Sequence, residues 1–174
     1  MNGNRASSRL PAIQQRYRPG LIGQIVGLHA ETYSRWAGFG SAFERKVATE
    51  LADFIGRIEH ENNAIWHAGE NQHLLGSIAI DGMDLGEGLA HLRWFIVNPS
   101  HHSLGLGKQL LARAVEFVDE RRFAETHLWT LKGLDAARRL YERTGFVLAE
   151  EYEGEQWGTR ITEQRWVRKS DLSL

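Results

Sequence analysis

The strongest constraint on this chain lies in its middle, where three β-rich runs follow one another with only turn residues between them. "NAIWHAGE", "HLLGSIAID" and "LAHLRWFIVN" each suit a strand, and they read as three consecutive antiparallel strands. The third is apolar at nearly every position from Leu92 to Val97, as expected of a central strand covered on both faces. What surrounds this meander is helical. Leu21, Ile25, Leu28 and Tyr33 recur near helical spacing, which predicts a helix to about Trp36, ended by "GFGS". Ser41 is placed to cap a second helix, with Glu44 completing a capping box and Phe43, Val47, Leu51, Phe54 and Ile55 as its buried stripe.

Beyond the meander the pattern alternates. A helix is expected from about Gly105 to Arg121, with Leu106, Leu110, Leu111, Ala114, Val115 and Val118 on its inner face. "THLWTL" reads as a strand, and "DAARRLYERTG" as a helix stopped by Gly145. "FVLAEEYE" and "TEQRWVRK" form a closing hairpin around "GEQWGTR". Strand, helix, strand implies at least one parallel crossover. The expected class is α+β: a central, mixed but mostly antiparallel sheet with helices on both faces. Residues 1–15 are polar and aperiodic and read as a flexible lead-in; 16–174 read as one domain.

Composition excludes several functions. A net charge of −1 gives no pull toward nucleic acid or an anionic membrane. With no cysteine there are no disulfides, thiolate nucleophiles or zinc–thiolate sites. No apolar run is long enough to cross a bilayer and no signal-peptide core is visible, so a cytoplasmic location is expected.

The segment between the central strand and the following helix, "NPSHHSLGLGKQLL", carries the first functional signal. Gly105 and Gly107 sit where a helix begins, and a helix start offers unpaired N–H groups and a partial positive charge to an anion. Two phosphate motifs fail. A Walker A loop needs glycine at His102 and Ser or Thr at Gln109, and a dinucleotide fingerprint needs glycine at Leu110. Spacing alone leaves a tight turn without a ligand equally open.

"IVNPSHHSLGLGKQLL" followed by "AARRLYERTGFVLAEE" resembles the GNAT superfamily of N-acetyltransferases. His102-Ser103-Leu104-Gly105-Leu106-Gly107 matches its Arg/Gln-x-x-Gly-x-Gly/Ala loop, and Ala137 to Phe146 matches its later A-x-x-L-Y-x-x-x-G-F motif. The likeness covers about residues 16–169. More narrowly, "RPGLIGQIVGLHAETYSRWAGF" and "HLWTLKGLDAARRLYERTGF" are similar to the acetyltransferase domain fused behind MarR-type regulators.

The resemblance implies acetyl-CoA as cosubstrate, its pyrophosphate held by backbone N–H groups from His102 through Ser103, Leu104, Gly105, Leu106 and Gly107 to Lys108. It implies that the backbone of Phe95, Ile96 and Val97 pairs with the pantetheine arm, with the Val97 N–H as donor to the carbonyl. Tyr141 matches the acid that protonates the departing thiolate; by pattern alone it belongs to an apolar face with Leu134, Ala137 and Leu140. Two positions depart from the family. His102 replaces Arg or Gln, with Lys108 as compensation, and Leu134 replaces an asparagine that contacts CoA.

His91 stands where histone-type relatives carry a catalytic glutamate, and an imidazole titrating near neutrality suits a general base. The plain alternative is a packed strand histidine; Glu87, Glu150 and Glu151 are other base candidates. Trp36 and Phe39 are expected to overhang the acceptor pocket, and Glu150, Glu151, Glu153 and Glu155 either attract a cationic amine or form a solvated hairpin. His101 and His102 are adjacent and lack a third ligand, so no metal is expected. The acceptor is expected to be a small-molecule amine or amino-acid-like compound, with no nucleic acid or membrane partner for this chain alone and with room for a homodimer. A non-catalytic acyl-CoA sensor is the alternative function.

Overall fold

The structure, a computed structural model, describes residues 10–70 and 72–171, except for the side chains of Ser103 and Leu104. The chain runs β1 (Ile13–Gln14), α1 (Leu21–Ala37), α2 (Ser41–Ile55), β2 (Asn63–Glu70), β3 (His73–Asp81) and β4 (Leu89–Val97). A 3-10 helix at Pro99–Leu104 leads to α3 (Leu106–Glu120), β5 (Glu125–Leu131), α4 (Asp135–Arg143), β6 (Val147–Gly154) and β7 (Ile161–Lys169). The strands form one sheet in the order β1-β2-β3-β4-β5-β7-β6. Only β4 and β5 are parallel neighbours, joined through α3. This is the expected mixed, mostly antiparallel sheet with helices on both faces.

Two apolar clusters divide the faces. Leu106, Leu110, Leu111, Ala114 and Val118 of α3 press on Ile78, Ile80, Leu92 and Leu128 on one side, joined by Tyr141 and Phe146. Each fully buried leucine there contributes about 1.5–3 kcal/mol relative to exposure. On the other side, α1 and α2 bring Leu21, Ile25, Phe43, Leu51 and Phe54 onto Ile65, Ala79, Trp94 and Leu131. Phe117 belongs to the inner face of α3, which the sequence pattern did not include, and Val115 is only partly buried.

Several local expectations are corrected. Ile13 and Gln14 pair with Ala68 and His67, so the chain joins the sheet before residue 16; residues 1–9 of the expected lead-in lie outside the described residues. The cap of α2 is Gly40 rather than Ser41, since the Gly40 carbonyl accepts from the Glu44 N–H at 3.3 Å, and glycine has no side chain to make a cap bond. Leu134 precedes α4 and packs against the α1–α2 cluster, whereas Ala137 and Leu140 pack against the α3 cluster. Gly145 does close α4, at φ 89°, with Phe146 N–H donating to Tyr141 O at 3.0 Å and Gly145 N–H to Glu142 O at 3.2 Å. The hairpin forms as expected, but β7 inserts beside β5 and leaves β6 as an exposed edge.

Candidate active site

The site begins with a fault in β4. Ser77 faces Ile96 and Ala79 faces Arg93, so Ile78 opposes both Trp94 and Phe95: a β-bulge. Trp94 takes φ 46°, a left-handed backbone that costs a bulky residue strain. The extra residue reverses the alternation. Trp94 passes to the α1–α2 cluster, across the sheet from Leu92, while Phe95 and Val97 turn to the α3 side.

A few residues before the bulge, β4 leaves β5. The two strands pair only over Leu89–His91 with Glu125–His127, whereas β5 stays paired with β7 as far as Leu131 and Glu163. The Asn98 N–H turns back to Leu75 O at 2.7 Å, so by alternation the Val97 N–H points the other way, onto the open edge. Its carbonyl, on that edge, accepts from His102 Nε2–H at 2.8 Å. His102 is therefore engaged at the end of the strand, a role for the imidazole that replaces the family's Arg or Gln.

Two clefts open on either side of this gap, sharing Tyr33 and Phe95. One, of about 710 Å³, is lined by Phe95, Ile96, Val97, His102, Gly105, Gly107 and Lys108, and closed by Gly133, Leu134 and Ala137. Gly105 holds φ 79° beside open space. Gly107 has a packing role too: a Cβ there would lie 3.3 Å from Leu140 Cδ1 and 3.4 Å from Val97 Cγ2. The start of α3 has no side-chain cap, so its first N–H groups are free of intrahelical partners. Residues 102–104 belong to the 3-10 helix, whose own bonds occupy backbone groups, so donors concentrate at Gly105–Lys108. Leu106 is fully buried in the core and contributes only backbone. Trp36 is exposed over this cleft, whereas Phe39 is buried in the other.

The second cleft, of about 780 Å³, contains His91, Tyr141, His29, Trp129, Trp157 and Glu163. The Tyr141 ring packs among Phe95, Phe146 and Trp166 at centroid distances of 6.0, 5.9 and 6.3 Å. Its hydroxyl makes no hydrogen bond to a described residue, and burial pushes its pKa well up, so it holds its proton. His91 donates Nδ1–H to Asp84 Oδ2 at 2.6 Å and meets the Trp129 ring edge-on at 4.8 Å. Burial lowers its pKa, against the opposing pull of Asp84. The bond to a carboxylate fixes the tautomer and leaves Nε2 with its lone pair, as a proton acceptor requires.

The other acidic candidates lie apart from His91. Glu87 is exposed and does not line the cleft. Glu150 is paired with Arg165, Glu151 with Lys132 and Gln164, and Glu153 accepts from Thr162; Glu155 lines the cleft rim. Among the described residues no three His, Asp or Glu side chains are grouped to hold a metal ion, and no helix is long and apolar enough to cross a membrane.

Sequence reasoning missed Asp84, Tyr33 and Glu163. Asp84 lies in a glycine-rich loop seven residues before His91, a separation with no periodic meaning. Tyr33 reads as ordinary helical core. Glu163 was visible in principle: alternation in "ITEQRWV" puts it on the same face as Ile161 and Val167.

A sheet split at a bulge above an uncapped helix start defines an acyl-transferase-type site. The chain belongs to the GNAT acetyltransferases: the model of the acetyltransferase (GNAT) family matches residues 28–146. No curated protein sequence matches it significantly. Among solved structures, a GNAT-family acetyltransferase of Staphylococcus aureus Mu50 superposes with a TM-score of 0.71 at 17% identity, covering 91% of this chain and 99% of that one. The ribosomal-protein-alanine N-acetyltransferase of Brucella melitensis gives 0.71 at 13% identity, with 91% and 99% coverage. The yncA protein of Salmonella typhimurium, solved with its cofactor acetyl-CoA, gives 0.67 at 15% identity, with 93% and 96% coverage. At these identities the likeness is one of fold.

Proposed function

We propose that this chain is an acetyl-CoA-dependent N-acetyltransferase that acetylates a primary amine of a small molecule by direct attack in a ternary complex. The observation that carries the reading is the parting of β4 from β5, with the Val97 N–H on the open edge leading to the uncapped start of α3. Relatives of the same fold support the chemistry: one holds acetyl-CoA, and another is named for acetylating an alanine amine.

Acetyl-CoA, when bound, supplies the activated acetyl thioester. The N–H groups of Gly105 to Lys108 and the Lys108 ammonium suit its pyrophosphate. The open edge from Phe95 to the Val97 N–H, with the Val97 carbonyl already taken by His102, suits the amides of its arm, as an added strand would. The Val97 N–H stabilises negative charge developing on the carbonyl oxygen. His91 Nε2 takes the proton of the amine, and the Tyr141 hydroxyl gives its own to the leaving sulfur. The likeness to domains fused behind MarR-type regulators fits a relative of those domains, acting in the cytoplasm as a monomer or homodimer.

Calorimetric titration with acetyl-CoA, followed by thiol release across a panel of primary amines, tests the reading. Tight binding that weakens in Lys108→Glu, together with turnover of at least one amine, is the expected result. Binding without turnover of any amine would make the domain a sensor, and absence of binding would refute the site.

A further inference from the structure

The second cleft holds a carboxylate that the reaction above leaves unused. The described residues include two buried carboxylates, Asp81 and Glu163. Asp81 is paired in two-pronged fashion with Arg57, at 2.6 Å for each oxygen. Glu163 has no such partner. Its Oε2 accepts from Gln156 Nε2, while Oε1 is buried without any hydrogen-bond partner. The Tyr152 hydroxyl lies beside the carboxylate: behind desolvation, the negative charge of Glu163 and a hydrogen-bonding contact with its side chain push the tyrosine's pKa up, yet no hydrogen bond of good geometry reaches Oε1.

The position is built. Glu163 sits opposite Leu131 of β5 and Tyr152 of β6, which places it on the sheet face that α1 and α2 cover only in part. Its free oxygen occupies a notch made by the missing side chain of Gly154, where a Cβ would come within 2.1 Å of Oε1. The cleft around it is walled by Tyr33, Phe39, Trp129 and Trp157. The cleft's own cations are engaged elsewhere: Lys46 and Arg93 with Glu50, and Arg57 with Asp81.

We infer that Glu163 Oε1 receives the ammonium group of the acceptor, and that the acceptor is a primary amine carried on an apolar, ring-sized body. A buried carboxylate oxygen without a partner calls for a charged donor, and aromatic walls favour both a cation and a flat apolar body. Anionic acceptors would meet Glu163 as repulsion. This inference deepens the N-acetyltransferase reading and rests on it.

The test uses 2-phenylethylamine and its neutral counterpart 2-phenylethanol, with binding followed by the fluorescence of the cleft tryptophans in the full chain. The wild type should prefer the amine, and Glu163→Gln should reduce that preference by about 10-fold or more while leaving acetyl-CoA affinity unchanged. Gly154→Ala keeps the charge but drives a methyl group into the notch, and should weaken the same preference. Equal affinity for both compounds in the wild type, or a preference that survives in Glu163→Gln and Gly154→Ala, would overturn the inference. Failure of acetyl-CoA to bind the wild type would instead strike the proposed function.

Discussion

The Ser77 hydroxyl donates a 2.8 Å hydrogen bond to the Trp94 carbonyl, at the residue of β4 whose backbone is left-handed. Such a conformation in a bulky residue costs on the order of 1–3 kcal/mol and persists only where its surroundings hold it. Here the holders are Ser77, the Phe54 ring at 5.2 Å and the Arg93 guanidinium at 4.2 Å over the indole. The bulge in turn puts the Val97 N–H on the open edge.

Ser77→Ala should therefore do two things. It strands a buried carbonyl, which should lower stability by about 1–3 kcal/mol. It also loosens the bulge, so kcat should fall while acetyl-CoA affinity, set largely at the start of α3, changes little. Thermal melts and initial rates check both. A lower Tm with unchanged kcat would show that packing alone fixes the bulge.

Tyr141→Phe keeps the ring among Phe95, Phe146 and Trp166 and deletes only a hydroxyl that has no hydrogen bond to a described residue. Stability should hardly move, and kcat should fall by about 10- to 1,000-fold with the leaving thiolate unprotonated. Full activity in the Phe variant would return Tyr141 to a purely structural role and make solvent the proton source.

The elements that sequence reading placed correctly are those whose signals are local. The strands of the meander, α3 and its leucines, and Gly145 closing α4 follow from periodicity and backbone preference over a few residues. The insertion of β7 between β5 and β6 is a long-range pairing that no local pattern encodes. The same holds for the site. Gly105, Gly107 and Tyr141 line the clefts and lie in motifs visible in the sequence, whereas His91, also in a cleft, was singled out only by its place on the strand. Asp84 comes to His91 only through the fold of a glycine-rich loop, and His102 finds the Val97 carbonyl only because the 3-10 helix turns it back. Trp36 and Phe39, expected together, line different clefts, because a helix end does not reveal which side of the sheet gap each side chain overhangs.

His29 makes acid stability a test of the cleft wall. It is buried, donates Nδ1–H to Ile25 O at 2.8 Å, and desolvation lowers its pKa from 6.5 to about 4. The unfolded chain binds a proton here below pH 6.5 while the folded chain refuses it until about pH 4, so stability is complete above 6.5 and is lost as pH falls between these values. The loss is on the order of 3 kcal/mol at most. Urea denaturation at pH 7 and pH 4.5 should show a smaller difference for His29→Gln than for wild type. An identical difference would mean that other groups carry the acid sensitivity.

The base role of His91 has its own pH signature. Burial, and behind it the positive Arg93, keep the imidazole pKa below its ordinary value, so His91 is neutral at pH 7 with Nδ1–H on Asp84 and Nε2 free. A base helps only while the amine arrives protonated. His91→Ala should therefore lower kcat/KM most near neutral pH, and the deficit should shrink as pH rises and free amine becomes abundant. Asp84→Ala leaves the imidazole in place but frees its tautomer and weakens it as a base, so it should show the same pH-dependent deficit to a smaller extent. A merely structural role would depress the rate equally at all pH values. If wild type and His91→Ala share one profile with a good acceptor, the base lies elsewhere; Glu87 is outside the cleft and Glu150 is held by Arg165, so Glu163 and Glu155 are the carboxylates to remove next.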